Sequence, residues 1–282
     1  MANAKTPADL TITPRDLRFG RGERRRRWWL NNDPVATAVY NALSVTFPKG
    51  EAFFIESVRR FREGVSPRLA EEIAAFTRQE AIHTREHVAF NRHVEAQGYD
   101  VSRLEGRVDE ELAVARGRPA IVSLAATMCL EHFTAILAHA IIADSKHLAG
   151  GDASAADLWR WHAIEEIEHK GVAYDVWLHA TRDWSRLRRW WVKAHAMMIV
   201  TAHFVSGRTR GMLDLLAQDG LTGAGVKWRL FRYAFGRPGL ARALVWPWIA
   251  FFLPGFHPWN HDDRALIGKV DSEFAAARLG TA

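Results

Sequence analysis

The residues with the clearest capacity for chemistry lie in one short run, Trp161-His162-Ala163-Ile164-Glu165-Glu166-Ile167-Glu168-His169. Inside it is His162-x3-Glu166-x2-His169. A helix turns roughly 100° per residue, so these three side chains project within an arc of roughly 60°. Two imidazoles and a carboxylate on one stripe suit a divalent transition metal. Gln79-Glu80-Ala81-Ile82-His83 repeats the idea. Two Glu-x-x-His units on separate helices are the repeating half of a dinuclear carboxylate site inside a four-helix bundle, whose other two helices each add one glutamate. Glu51 and Glu131 fill those places. The separations agree: Glu51 to Glu80 spans 29 residues and Glu131 to Glu166 spans 35. Either leaves room for a helix, a turn and an antiparallel return. The expected ligands are Glu51, Glu80, His83, Glu131, His162, Glu166 and His169.

Some positions have competitors. Glu56 rivals Glu51 on the first helix, and Glu51 is favoured because its gap to Glu80 better matches the other half. Glu165 flanks His169 but makes no Glu-x-x-His, so it is expected beside the ligands or at the surface. Glu168 points away from the ligand stripe. His87, one turn after His83, is open to three readings: a ligand, a hydrogen-bonding neighbour of the site, or packing. His132 is roughly 100° off the Glu131 stripe and is not expected to bind. Thr127, Thr134, Ala135 and Ala138 share that stripe. Such small side chains serve close helix packing or leave a cavity for dioxygen or an organic substrate.

The elements that must position these groups read as helices. Asp33-Pro34 is a cap followed by an N1 proline, opening a helix through about Val45. Pro48-Lys49-Gly50 is expected to break it before an apolar stretch from Glu51 to Phe61. Ser66-Pro67 opens a long helix to about His93. A shorter acidic helix is expected from Ser102 to Ala115, and another long one from Pro119 to Lys146. Ser154 caps the helix that carries the opening motif and runs to about Thr181. No period-two alternation marks a strand. The expected organisation is a basic segment over 1–33, a metal-binding bundle over 34–182 and a tryptophan-rich helical extension over 183–282 packed on it.

Composition bounds the rest. The chain has 282 residues, is 48% hydrophobic, and has one cysteine, Cys129. It can bury a sizeable core, and it lacks the thiols for an intrachain disulfide or a cysteine-rich metal site. The first twenty residues show no apolar signal-like core, so the expected location is the cytoplasm, with membrane-peripheral attachment as a variant. The net charge of +6 is concentrated where Arg24-Arg25-Arg26-Arg27 runs into Trp28-Trp29, and where Arg186, Arg188 and Arg189 run into Trp190-Trp191. These clusters read as basic turns whose tryptophans pack on the bundle, or as contacts with a membrane surface. No nucleic-acid motif accompanies them, so nucleic acid is not an expected partner.

The pattern Glu51…Glu80-x-x-His83…Glu131…Glu166-x-x-His169 resembles the ferritin-like di-iron carboxylate proteins over residues 34–182. The extra His162 resembles the ligand set of the arylamine N-oxygenases. Gln79-Glu80-Ala81-Ile82-His83 with His87 and Asn91, Glu165-Glu166-x-Glu168-His169-Lys170, and Phe256-His257-Pro258-Trp259 are similar to a bacterial family of predicted metal-dependent hydrolases. That similarity spans nearly the whole chain. Two departures from the oxygenases stand out: Gln79 replaces an Asp before Glu80, and Ile82 replaces an Arg before His83. The resemblance implies an all-α, ferritin-like four-helix bundle with an N-terminal helix and a helical C-terminal extension. It also implies two metal ions, iron first and manganese or zinc as alternatives.

Three functions are weighed. The favoured one is an oxygen-activating oxygenase or oxidase, which needs dioxygen, an electron donor and a small organic substrate, with an apolar one as the variant that the arginine–tryptophan clusters would suit. The second is a metal-dependent hydrolase using a water bridged by the metals. The third is a non-enzymatic metal-binding or membrane-peripheral protein. A homo-oligomer is compatible with each.

Overall fold

The computed structural model describes residues 5–23 and 25–279, and Arg24 of the arginine run lies outside them. The described chain is all-helical; its one β-like pairing is an isolated antiparallel bridge between Leu30 and Gly151. In order come α1 (Pro34–Arg59), α2 (Pro67–Ala96), α3 (Ser102–Arg116), α4 (Ala120–Ala143), α5 (Ala153–His169), α6 (Val172–Ala180), α7 (Arg186–Gln218), α8 (Gly223–Phe231), α9 (Leu240–Ala250) and α10 (Arg264–Leu279). Helix α1 packs on α2 and α4, and α5 packs on the same two, closing a ring of four helices. Helix α7 lies against α1 and α4, and α9 against α4.

Several helix starts follow the expected chemistry, but Ser154, expected to cap the helix of the opening motif, lies inside α5, whose N-cap is Asp152. Asp33 accepts the Val35 N–H, Ser66 accepts the Leu69 N–H and Ser185 accepts the Arg188 N–H, each satisfying a donor that the first turn leaves orphaned. The predicted break at Pro48-Lys49-Gly50 does not occur. The expected N-terminal helix and the Glu51 stretch are one element, α1, with Pro48 inside it. A proline there has no N–H for the carbonyl four residues earlier. That carbonyl belongs to Ser44, and the Asn91 side-chain amide of α2 donates to it at 3.1 Å. The missing bond is thus replaced from a neighbouring helix, and Glu51 is carried onto the face that bears Asn41 and Ser44.

The helix expected to run to Thr181 is instead divided at Lys170-Gly171. Gly171 sits beneath Trp259 and Thr6. A Cβ there would stand 3.0 Å from Trp259 Cδ1 and 2.6 Å from Thr6 Oγ1, so no larger residue fits without displacement. Helix α4 is long and apolar enough to cross a membrane by length and composition alone. Here it carries the buried Glu131 and packs within the protein on most of its sides.

The basic N-terminal segment is tied down along α2 and α5. Arg15 pairs with Glu168 at 2.6 Å and with Asp271 at 2.8 Å. Arg21 pairs with Glu86, Arg26 with Asp152 and Arg27 with Asp219. Trp29 is buried and donates to Asn41 at 3.0 Å. Arg25 lies buried over the Phe90 ring at 4.8 Å, so the described part of this first arginine–tryptophan cluster is turned onto the protein itself.

Candidate metal centre

The ring of four helices brings the seven expected residues together. Glu51 comes from α1, Glu80 and His83 from α2, Glu131 from α4, and His162, Glu166 and His169 from α5; all are buried. Glu56 is not among them. It is at the surface and pairs with Arg60 and Arg116.

Two carboxylates span the cluster. Glu80 turns Oε1 toward His169 Nε2 at 3.2 Å and Oε2 toward His83 Nδ1 at 3.7 Å. Glu166 does the same: Oε2 faces His169 Nε2 at 3.5 Å and Oε1 faces His83 Nδ1 at 3.7 Å. Oε1 of Glu166 also lies 2.9 Å from His162 Nε2. Glu131 stands 3.5 Å from His169 Nε2. Donor atoms thus gather into four overlapping sets, Glu80–Glu131–His169, Glu51–Glu80–His83, His83–His162–Glu166 and Glu51–His87–His162. Two donors bonded at roughly 2.1 Å to one cation, at right angles, stand about 3 Å apart. The shorter separations here match that spacing.

The inward atoms have nothing to bond. Both oxygens of Glu80, both of Glu131, Glu51 Oε1, Glu166 Oε2, His83 Nδ1 and His169 Nε2 are buried without a hydrogen-bond partner. A buried polar atom left unpaired costs on the order of 1–3 kcal/mol, more if charged. Eight such atoms in one place are not explained by packing. Two divalent cations would neutralise the four carboxylates and satisfy these atoms together.

The outward nitrogens, in contrast, are all engaged. His83 donates from Nε2 to Glu165 Oε2 at 3.0 Å. His169 donates from Nδ1 to Gln79 Oε1 at 2.9 Å, and Gln79 passes its own amide N–H to Glu168 at 2.8 Å. The third histidine is set by a longer chain. Ser44 Oγ donates to Asn91 Oδ1 at 2.7 Å, so its single proton is spent. His87 Nδ1, 2.8 Å from Ser44 Oγ, must therefore donate. His87 Nε2 is left as an acceptor, and His162 Nδ1 donates to it at 2.8 Å. His162 Nε2 then presents a lone pair to Glu166. With both its nitrogens occupied, His87 is a hydrogen-bonding neighbour rather than a ligand. Bonds of this kind fix ring orientation and tautomer at metal sites.

Electrostatics agree with this division. Burial pushes Glu51, Glu80 and Glu131 well above the usual carboxylate range, and neighbouring carboxylates push the same way. Burial, aided by His83, lowers His162 to about 4, and burial with His162 lowers His87 well below the ordinary imidazole value. Both rings are neutral, as the hydrogen-bond chain requires. Aromatic rings wall the centre. Phe47 stacks on His162 at 5.0 Å, Trp161 meets His83 edge-on at 5.0 Å and Phe76 meets His169 at 4.9 Å.

Sequence reasoning missed several contributors. Glu168 points away from the ligands as expected, yet it is buried and gathers Gln79, Arg15 and the Thr13 N–H. Arg15 also donates its backbone N–H to Glu165 at 2.8 Å. Only the side chain of Gln79, with an acceptor and a donor at its tip, hinted at such a link. The small-residue stripe of α4 is buried, and Ala138 packs against Ala163 and Ile167 of α5. One hydroxyl on it, Thr127 Oγ1, is buried without a partner one turn before Glu131. His132 bonds to the Pro247 carbonyl at 3.2 Å and takes no part in the cluster.

A family model described as "predicted metal-dependent hydrolase" matches residues 13–262, and the chain belongs to that family. The matched span includes all seven clustered residues and the strap at Thr13–Arg15. No curated protein and no solved structure matches the chain.

Proposed function

We propose that this protein is a metal-dependent hydrolase in which Glu51, Glu80, His83, Glu131, His162, Glu166 and His169 hold two divalent cations within a ferritin-like four-helix bundle. The carrying observation is that Glu80 and Glu166 each offer one oxygen to His169 and the other to His83, with no proton donor for the inward atoms. The family description supports hydrolysis over the oxygenase chemistry favoured by the resemblance to di-iron proteins. A bound cation pair supplies Lewis acidity and a water acidified toward neutral pH.

The chain's own residues supply the rest. Glu165, Gln79 and His87 hold three imidazoles in the tautomer that presents a lone pair inward. Thr84 Oγ1 donates to Glu51 Oε2 at 2.8 Å and leaves Oε1 free. Phe47, Phe76 and Trp161 exclude bulk water, which strengthens each charge interaction inside. The Thr127 hydroxyl, one turn from Glu131, is placed to bind a substrate oxygen.

The second reading is an oxygen-activating di-iron enzyme. Carboxylate and imidazole donors suit iron as well as manganese or zinc, and the dry aromatic wall suits a reactive centre. The two are separated by loading. Metal-free protein is reconstituted with zinc, manganese or ferrous iron and offered a panel of esters, amides and phosphoesters. Turnover with zinc or manganese, abolished by Glu166→Gln, supports the hydrolase. Inactivity on the panel, with a visible band appearing when dioxygen meets the ferrous form, transfers the assignment to oxygen chemistry. Fewer than two cations per chain overturns the dinuclear centre.

A further inference from the structure

The apolar side chains that this fold leaves in water are concentrated on α7, α8 and α9. Leu187, Trp191, Met198 and Val205 are each more than half exposed. Their spacing puts them within roughly 40° of arc, on a stripe about 27 Å long. After α8 begins, Trp228, Phe231 and Phe235 form a second exposed row, with ring centroids 5.5 and 5.2 Å apart. Trp246, Ile249 and Leu253 form a third on and after α9, and Trp246 is 74% exposed. Helices α7 and α9 both pack on α4, and Trp248 Nε1 donates to Thr201 Oγ1 at 2.9 Å while Trp190 Nε1 donates to the Phe252 carbonyl at 2.8 Å.

The charges around these rows are mainly basic. Between Gly220 and His261 the sequence holds no acidic residue. Arg186, Arg188, Arg232 and Arg237 are exposed and make no salt bridge among the described residues. Tryptophan, phenylalanine and arginine exposed together on neighbouring segments are the side chains that settle at a lipid headgroup boundary. A second copy of this chain is a poor occupant. A two-fold contact sets a face against itself, and here that opposes arginine to arginine, with Asp183 the exposed carboxylate beside the start of α7.

We propose that the outer face of α7, α8 and α9 docks this protein onto the surface of an anionic phospholipid membrane, the aromatic rings entering the interface and the arginines meeting phosphate. This stands independently of the metal centre.

The test is flotation of the full chain with vesicles of pure phosphatidylcholine and with vesicles of equal parts phosphatidylcholine and phosphatidylglycerol. Binding is expected to the second kind, weakening as salt rises. Two variants with unchanged helical circular dichroism are compared: W191S/W246S, and R186Q/R188Q/R232Q/R237Q. The tryptophan pair should abolish flotation, and affinity should fall about fivefold per arginine removed. Failure to float with anionic vesicles, or binding unchanged in both variants, overturns the proposal. So does a dimer in sedimentation that W191S/W246S splits, which assigns the face to a second copy.

Discussion

Helix α4 borders two clusters of imidazole and carboxylate, one at Glu131 and one, two turns on, at His139, and they treat buried charge in opposite ways. At the second, Asp263 Oδ1 accepts from His139 Nδ1 at 2.8 Å and His261 Nδ1 at 2.9 Å. Its Oδ2 accepts from the Lys170 ammonium at 2.5 Å. Lys170 also donates to the His261 carbonyl and lies 4.2 Å over the Trp259 ring. Every strong acceptor there has its partner, and a lysine already occupies the place a cation would take. Although burial opposes charge on Asp263, His139 and Lys170 hold its carboxyl well below the usual range. At Glu131 the same residue types face inward with no donor among them. Clustering of His, Asp and Glu therefore does not identify a metal site; the unpaired inward atoms do. The His139 cluster is a strut that fastens the start of α10 to the α5–α6 corner.

That contrast can be broken at either end. Replacing Glu80 and Glu166 by Gln should have the largest effect. Bound metal should fall from two per chain to one or none by elemental analysis, and metal-dependent turnover should vanish. The metal-free variant should nevertheless melt higher than metal-free wild type, because two crowded buried carboxylates are gone. A metal-free variant that melts lower would show that these groups are paired in a way the structure does not contain.

At the strut, Lys170→Met leaves Asp263 buried without its ammonium, a loss of about 3–5 kcal/mol. Chemical denaturation should read that loss, and zinc should restore part of it by taking the vacated place. Equal stability of variant and wild type would dissolve the distinction between the two clusters.

A smaller effect is expected from His87→Phe, which keeps an aromatic ring but removes the acceptor for His162 Nδ1. Metal affinity should fall about 10–100-fold, as for other residues that orient ligands, with helix content unchanged. Competition with a chromogenic chelator measures it; an unaltered affinity would return His87 to mere packing.

The smallest concerns Lys193, a third way of burying charge. Among the described residues it has no carboxylate partner, and it donates to the Phe251 carbonyl at 2.6 Å. Burial lowers it from 10.5 to about 8. The unfolded chain holds this proton more tightly, so stability should rise as pH climbs from about 8 toward 10.5 and carry a constant penalty below that window. Lys193→Met should flatten this part of a denaturation series; an undiminished slope would place its origin elsewhere.

Local pattern was enough to read the ligand stripe, because His162, Glu166 and His169 share one helix face and Glu80-x-x-His83 echoes it. The gap argument chose Glu51 over Glu56, and the structure places Glu51 in the cluster and Glu56 on the surface. What could not be read were groups joined only by folding. Pro48 signals a helix end in any local reading, since the amide that replaces its missing bond comes from α2. The strap from Thr13 to Arg21 carried no local signal, since its partners Glu86, Glu165 and Glu168 lie 65 to 155 positions away in the hydrogen-bond pairs they form. The role of His87 turned on its bonds through Ser44 to Asn91, and Ser44 belongs to no motif.

Pro48 has a consequence beyond the shape of α1. Because it cannot donate, the Ser44 carbonyl is free to hold the Asn91 amide, and that grip decides which way every proton points from Asn91 to His162. An alanine at this position would make a better helix in isolation, yet its new N–H would compete for that carbonyl and release the Asn91 amide to rotate. The hydroxyl and both rings would then lose their single polarity, visible as mixed His162 tautomers in nitrogen NMR. An imperfection in one helix thereby keeps order in a wire of protons that ends at another.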